Sequence, residues 1–411
     1  MLDIRYIQEN PDKVQKAAAD KGVTVDVGAL LDTDREFREI STKVQNLRAE
    51  RNVASKARDI EKGRELKVSL DALEPRLKEL DEKLQSLLWT IPNPSKDDVK
   101  VGKDDSENEV IRTFGEPTTF SFKPRDHVEL GQMLDIIDIE RATKVSGSRF
   151  YYLKNEGAML EQALLRYALD VLVPEGFTFI LPPVLITEDT MKRLGYMENG
   201  GEEDMFRLEK DKLVLVATAE QSIAPIHRDE VLLESELPKR YVGYSPSFRR
   251  EAGSYGKDTK GILRVHQFNK VEMVSFVKKE EDDAEHEYLL GLEEKFFKEL
   301  NIPHQVVKMC TGDLGFPAAR KYDIEAWIPT QEKYREVTSV STVTDFQSRR
   351  LNTRYKTKDG TEYVQILNGT AFSIGRPIIA ILENFQQEDG SVIIPEVLRK
   401  YTGFDKISPS A

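Results

Sequence analysis

The chain has 411 residues, 39% hydrophobic and 32% charged, and its 60 basic and 72 acidic side chains give a formal charge of −12. That length and balance describe a folded protein of two or three domains and exclude a disordered chain; the acidic sum also excludes a nucleic-acid coat over the whole surface, so any such contact must come from local basic patches. One cysteine, Cys310, and five scattered histidines exclude an internal disulfide and any zinc site with recognisable ligand spacing, so no zinc is expected.

The first residues include Asp3 and Glu9 and lack an apolar core segment, so no signal peptide is expected and the cytoplasm is the expected compartment. Asn10 before Pro11 predicts a capped helix with proline in its first turn, closed by Gly22. From about Leu30 a heptad pattern begins with Phe37, Ile40, Val44 and Leu47, and a second run follows with Leu73, Leu77, Leu80, Leu84 and Leu87. Each run is only about two heptads of seam, which predicts an intramolecular antiparallel helical hairpin with arms of roughly 45 Å. Pro75 either kinks the return helix or marks its start. Around the expected tip, Arg48, Arg51, Lys56, Arg58, Lys62 and Arg64 form a local basic excess. A charged coiled-coil face is ordinarily just solvated, so this patch alone assigns no partner.

Residues 1–95 are therefore expected as an N-terminal helical domain, 96–112 as an acidic linker opened by Ile91, Pro92, Asn93 and Pro94, and 113–411 as a second domain. In the second domain β-rich runs and helices alternate without a βαβ rhythm or a glycine-rich phosphate loop. This predicts an α+β fold with a mostly antiparallel sheet flanked by helices, and excludes Rossmann and P-loop architectures. The apolar stretch from Val171 to Ile186 is broken by Glu175, Gly176 and three prolines, so no membrane span is expected. A helix over Leu164–Val173 runs into a strand over Phe177–Pro183. Lys212–Val216 reads as a strand leading to Thr218, Ala219 and Glu220, where Thr218 with Gln221 forms a candidate capping box.

Ser245 to Met273 is the stretch richest in chemistry. Gly253, Gly256 and Gly261 bracket a turn between two β-rich runs, a hairpin with a long loop. Residues two apart share a strand face, so Arg249 goes with Glu251, and Arg264, His266, Phe268, Lys270 and Glu272 go together. Such a face is a poor core face and a plausible floor for a ligand with phosphates, a flat ring and an amino group. Downstream, Tyr322–Ile328 alternates as a half-buried strand; Glu336, Val337, Thr338 and Ser339 follow. Gln365–Leu367 reads as a strand before Asn368, Gly369 and Thr370, and Gly375, Arg376 and Pro377 open an apolar helix through Leu382. An arginine at a helix start is disfavoured by the dipole, a mismatch that an anion would relieve.

Phe248, Arg249, Glu251, Ala252 and Gly253, then Arg264, His266, Gln267 and Phe268, resemble motif 2 of class II aminoacyl-tRNA synthetases in its seryl-tRNA synthetase wording. The helix and strand near 164–183 resemble motif 1, which forms the homodimer seam, and Gly375–Pro377 resembles motif 3. The resemblance covers nearly the whole chain and implies activation of L-serine by ATP and its transfer to tRNA(Ser), with tRNA(Sec) a further acceptor where present. It implies ATP contacts at Arg249, Arg250, Glu251, Arg264, Val265, Phe268, Glu336, Val337, Thr338, Ser339 and Arg376, with Arg249 and Arg376 catalytic. It implies serine contacts at Thr218, Ala219, Glu220, Arg249, Glu272 and Thr370, magnesium (Mg2+) at Glu336 and Ser339, and tRNA contacts at the six basic residues of the helical arm. Thr342 stands where the family usually has asparagine. Related ligases that load a carrier protein lack the arm.

Overall fold

The computed structural model describes residues 1–198, 200–252 and 260–409, so Gly253 and Gly256 of the expected turn lie outside the described residues. The chain divides into two compact units, Met1–Pro94 and Ser95–Ala411. No helix among the described residues is long and apolar enough to cross a membrane.

The first unit is helical: α1 (Ile4–Glu9), α2 (Pro11–Asp20), α3 (Val27–Ala57) and α4 (Ile60–Trp89). Pro11 opens α2 as expected, but the Asn10 side chain turns back to the Tyr6 carbonyl at 3.1 Å instead of capping. Asp26 caps α3 by accepting from the Ala29 N–H, and Asp59 caps α4 by accepting from the Lys62 N–H. Between the two helices only Arg58 and Asp59 turn the chain, Arg58 with φ 59°. At 30 residues α4 spans about 45 Å. Pro75 lies inside α4, so it does not mark the helix start. Val44, Leu80 and Leu84 of the expected seam are buried, and Ala54, Leu66, Leu70 and Leu88 extend it. Arg48–Glu74 and Arg76–Glu36 pairs, both at 2.8 Å, bridge the hairpin.

The second unit is built on an eight-stranded sheet. Numbered in chain order, its strands are β1 (Glu109–Phe114), β2 (Thr178–Ile180), β3 (Lys239–Phe248), β4 (Gln267–Val277), β5 (His304–Lys308), β6 (Arg320–Ile328), β7 (Lys333–Thr342) and β8 (Gln365–Ser373). Their order across the sheet is β1-β5-β6-β7-β8-β4-β3-β2, antiparallel throughout except for the β2–β3 pair. Leu289, Phe296 and Phe297 of the helix Asp282–Glu299 join Leu160 and Leu164 of the helix Asn155–Leu172 and Phe372 of β8 in one core.

Three expectations change here. Residues 96–112 are not a free linker. The Lys96 N–H donates to the Ala319 carbonyl, Asp98 pairs with Lys308 at 2.5 Å, and β1 pairs with β5 as a sheet edge. The acidic composition that reads as a solvated connector is answered by cations of the second unit. β8 runs on through Asn368, Gly369 and Thr370 to Ser373, so the expected stop at Leu367 is wrong. β4 begins at Gln267, so Arg264 and His266 precede it.

Candidate active site

β3 and β4 form the hairpin expected from the sequence, and pairing continues past the strands, with the Arg249 N–H donating to the His266 carbonyl at 3.0 Å. Just beyond, Glu251 adopts φ 54°, a left-handed conformation costly for a side-chain-bearing residue and common at functional sites. The hairpin floors a cleft lined by Arg249, Glu251, Val265, Phe268 and Lys270, with walls from Glu336, Val337, Thr338 and Ser339 of β7, Thr370 of β8, and Arg376. The Arg249 guanidinium lies 5.2 Å from the Phe268 ring centroid, within cation–π range.

One wall depends on a β-bulge. β6 pairs Ile324 with Thr338 but Glu325 with Glu336, leaving Val337 as an extra residue. Residues three apart normally face opposite sides of a strand, and the bulge resets that alternation. Val337, Thr338 and Val340 are buried, while Glu336 and Ser339 stay partly open toward the cleft. Two partly open oxygen ligands suit a magnesium ion that keeps most of its shell as water and phosphate oxygen.

Arg376 sits at the start of the helix Gly375–Asn384, and its guanidinium donates to the Glu336 backbone carbonyl at 3.0 Å and pairs with the Glu336 carboxylate at 2.9 Å. Thus an internal carboxylate answers the unfavourable cation at the helix start. Enclosure would raise the Glu336 pKa, but the Arg376 guanidinium and the Lys321 ammonium outweigh it and hold the group well below the usual carboxylate range. Burial pushes neighbouring Asp323 up, against the pull of Lys321. Both carboxylates line a second, more polar cavity that shares Leu263, Glu336 and Arg376 with the first.

Beside Lys270 and Thr370 of the cleft lining lies a buried, carboxylate-rich cluster. The Lys270 ammonium is 2.6 Å from the Glu272 carboxylate and 3.1 Å from the Thr218 hydroxyl, and the Thr370 hydroxyl donates to Glu272 at 3.2 Å. A second bulge brings Glu272 opposite Thr370 while Val271 pairs with Phe372. Glu220 begins a one-turn helix after Thr218 and Ala219 and accepts from Gln347 Nε2 at 3.2 Å. Burial, then the Glu272 carboxylate, raise its pKa to about 7 against the Gln347 and Tyr196 hydrogen bonds. The expected capping box is reshaped: Gln221 accepts from Ala217, and the Thr218 hydroxyl accepts from the Glu220 N–H.

Residues 1–94 match the family model described as the seryl-tRNA synthetase N-terminal domain, and residues 205–385 match the tRNA synthetase class II core domain (G, H, P, S and T). A serine–tRNA ligase of Thermodesulfovibrio yellowstonii is 44% identical over 424 residues, covering 99% of this chain and 100% of that protein. One from Acidothermus cellulolyticus is 45% identical over 420 residues, covering 100% of both.

The chain belongs to the seryl-tRNA synthetase family.

Among solved structures, the seryl-tRNA synthetase of Pyrococcus horikoshii complexed with ATP superposes with a TM-score of 0.93 at 42% identity and full coverage of both chains. The Naegleria fowleri cytoplasmic enzyme in complex with AMP gives 0.91 at 30% identity, covering 100% of this chain and 99% of that one. A Giardia lamblia prolyl-tRNA synthetase, 18% identical with a TM-score of 0.59, shares the fold alone.

Against that seryl-tRNA synthetase frame, the cleft gathers Arg249, Glu251, Val265, Phe268, Glu336, Val337, Thr338, Ser339, Thr370 and Arg376; Thr218 and Glu272 are buried behind it, held by Lys270 and Thr370, and Glu220 is buried beside Glu272. Ala219 is buried against β3 at Gly243. Arg250 is not brought in: it is exposed and its guanidinium lies 6.0 Å from the Phe206 ring centroid. Arg264 lines the adjoining cavity and reaches Glu251 at 3.3 Å. Thr342 is remote from the cleft lining and donates to Asp282 at 2.5 Å. On the arm, Arg51, Lys56, Arg58, Lys62 and Arg64 are exposed near the tip, and Arg48 is paired with Glu74. Lys270 was not among the expected substrate contacts, although its place between Phe268 and Glu272 on one strand face marked it. Tyr196 carried no local signal, and Gln347, although the run from Asp345 to Arg350 matches the family, carried none toward Glu220, because folding brings the two there from 24 and 127 residues away.

Proposed function

We propose that this chain is a serine–tRNA ligase that works in two steps. The serine carboxylate attacks the α-phosphorus of ATP in line, giving seryl-adenylate and pyrophosphate; a terminal hydroxyl of tRNA then attacks the seryl carbonyl, and AMP leaves. No side-chain nucleophile is required, so rate comes from positioning and charge neutralisation. Arg249 takes the α-phosphate and serine carboxylate, a task suited to a planar guanidinium fork. Phe268 stacks on the adenine, Glu251 accepts from its amino group, and Val265 and the backbone of Val337 and Thr338 border the nucleotide. Arg264 approaches the nucleotide from the adjoining cavity beside Glu251, and Arg250 would have to leave its place over Phe206 to reach it. Arg376 neutralises the γ-phosphate. Glu336 and Ser339 would hold magnesium, which would supply further neutralisation of phosphate charge.

Thr218, Ala219 and Glu220 receive the serine ammonium, and Glu272 with Thr370 receives its hydroxyl. The observation that supports this reading is a cationic, aromatic-floored cleft whose lining residues Lys270 and Thr370 reach a buried cluster of Thr218, Glu220 and Glu272. The basic arm tip contacts tRNA(Ser), and tRNA(Sec) where it exists. The chain works in the cytoplasm as a homodimer, for which the edge strand β2 and its neighbours expose Phe179 and Leu181. Incubating the protein with ATP, magnesium, labelled serine and a tRNA(Ser) transcript tests the reading. It requires acid-precipitable seryl-tRNA, and no label on a transcript of another amino-acid specificity.

A further inference from the structure

The helix Glu188–Leu194 ends at Gly195, whose φ of +86° turns the chain, and the next residue is Tyr196. The phenol oxygen lies 2.8 and 2.9 Å from the two carboxylate oxygens of Glu220. Gln347 clamps the same place, its Nε2 lying 3.2 Å from both the Leu194 carbonyl and Glu220 Oε1. Two residues beyond Tyr196, Glu198 pairs at 2.7 Å with Arg350, whose side chain is wholly enclosed. The loop carrying Tyr196 is therefore anchored on both sides, and the phenol is held against Glu220.

Charged and titratable groups face this pair from each surrounding element: Glu272 and Lys270 from β4, and Arg249 from the end of β3. Burial and the Glu220 carboxylate push the phenol well above its ordinary range, so it stays a neutral donor. It has one hydrogen, which stabilises the ionised form of Glu220 more than the neutral acid.

We propose that Tyr196 is a positioning residue for amino-acid binding: it fixes the Glu220 carboxylate in the orientation and charge state that receive the substrate ammonium. This rests on the assignment of Glu220 to the serine amino group. Removing the hydroxyl should leave Glu220 both less oriented and harder to ionise.

The test uses full-length wild type, Tyr196→Phe and Glu220→Gln, with KM for serine and for ATP taken from pyrophosphate exchange across pH 6 to 9. Tyr196→Phe should raise the serine KM about tenfold, leave the ATP KM within about twofold, and move the acid limb of kcat/KM for serine to higher pH. The retained ATP KM also reports an intact fold. If Glu220→Gln impairs serine binding while Tyr196→Phe matches wild type in serine KM and pH limb, Tyr196 is packing only and the proposal is overturned. If Glu220→Gln leaves serine binding untouched, the amino-group assignment itself falls, and the proposal with it.

Discussion

The Lys270 ammonium and the Glu272 carboxylate lie 2.6 Å apart, two residues along one strand face, and Lys270 also reaches the Thr218 hydroxyl. This lysine is the cation that answers the buried Glu272 carboxylate. On the proposed serine site, the ammonium and hydroxyl donors of serine would compete with Lys270 for this carboxylate.

Glu272→Ala should therefore raise the serine KM by about 10- to 150-fold, the span for losing a hydrogen bond to a charged group. The ATP KM should move far less, and discrimination against alanine should narrow. Steady-state exchange kinetics with both substrates check this. Equal damage to both would make the Lys270–Glu272 pair a purely structural ion pair.

At the phosphate end, Arg249→Ala or Arg376→Ala should lower the exchange rate at least about a hundredfold with the fold retained, as for removing a preorganised charge-stabilising donor. Arg376→Ala also strips Glu336 of its pairing partner. Exchange rates near wild type, with an unchanged circular dichroism spectrum, would remove both arginines from the site.

The pH dependence follows from Glu220, whose pKa is raised to about 7. Below that pH the group is neutral and holds an ammonium poorly; above it the group is an anion. The kcat/KM for serine should thus fall as pH drops through about 7, approaching tenfold per unit, while ATP binding stays flatter. Glu220→Gln should abolish that limb at the cost of weaker serine binding at every pH.

On the arm, replacing Arg51, Lys56, Arg58 and Arg64 together by glutamate should leave serine-dependent exchange intact. It should raise the KM for tRNA(Ser) at least about tenfold and flatten its salt dependence, because each lost phosphate contact reduces counterion release. Aminoacylation assays at several salt concentrations measure both. An unchanged KM would make the basic tip a solvated surface.

Much of the second unit was legible where a period of two holds. Phe268, Lys270 and Glu272 share a face as the spacing requires, and the alternation over Tyr322–Ile328 marks β6. The hairpin arm was legible from its heptads, but the helix ends came from Asp26, Arg58 and Asp59, and at the far end Leu88 is buried more deeply than Leu87. What a local pattern cannot carry is a break in alternation. The bulge at Val337 that opens Glu336 and Ser339 to the same cleft depends on pairing with β6, and the acidic segment after Ser95 looks like a linker until Lys308 and Arg320 are seen beside it. Motif resemblance supplied Glu336 and Ser339 where strand geometry alone would have separated them.

The most direct test of the account is ATP–pyrophosphate exchange by the wild-type protein, with the standard amino acids offered one at a time in the presence of magnesium. Serine should drive rapid exchange, with alanine at least about a thousandfold lower in kcat/KM, because a pocket built around a hydroxyl leaves buried polar groups unpaired when that hydroxyl is missing. Exchange driven equally well by another amino acid, or by none, would contradict it.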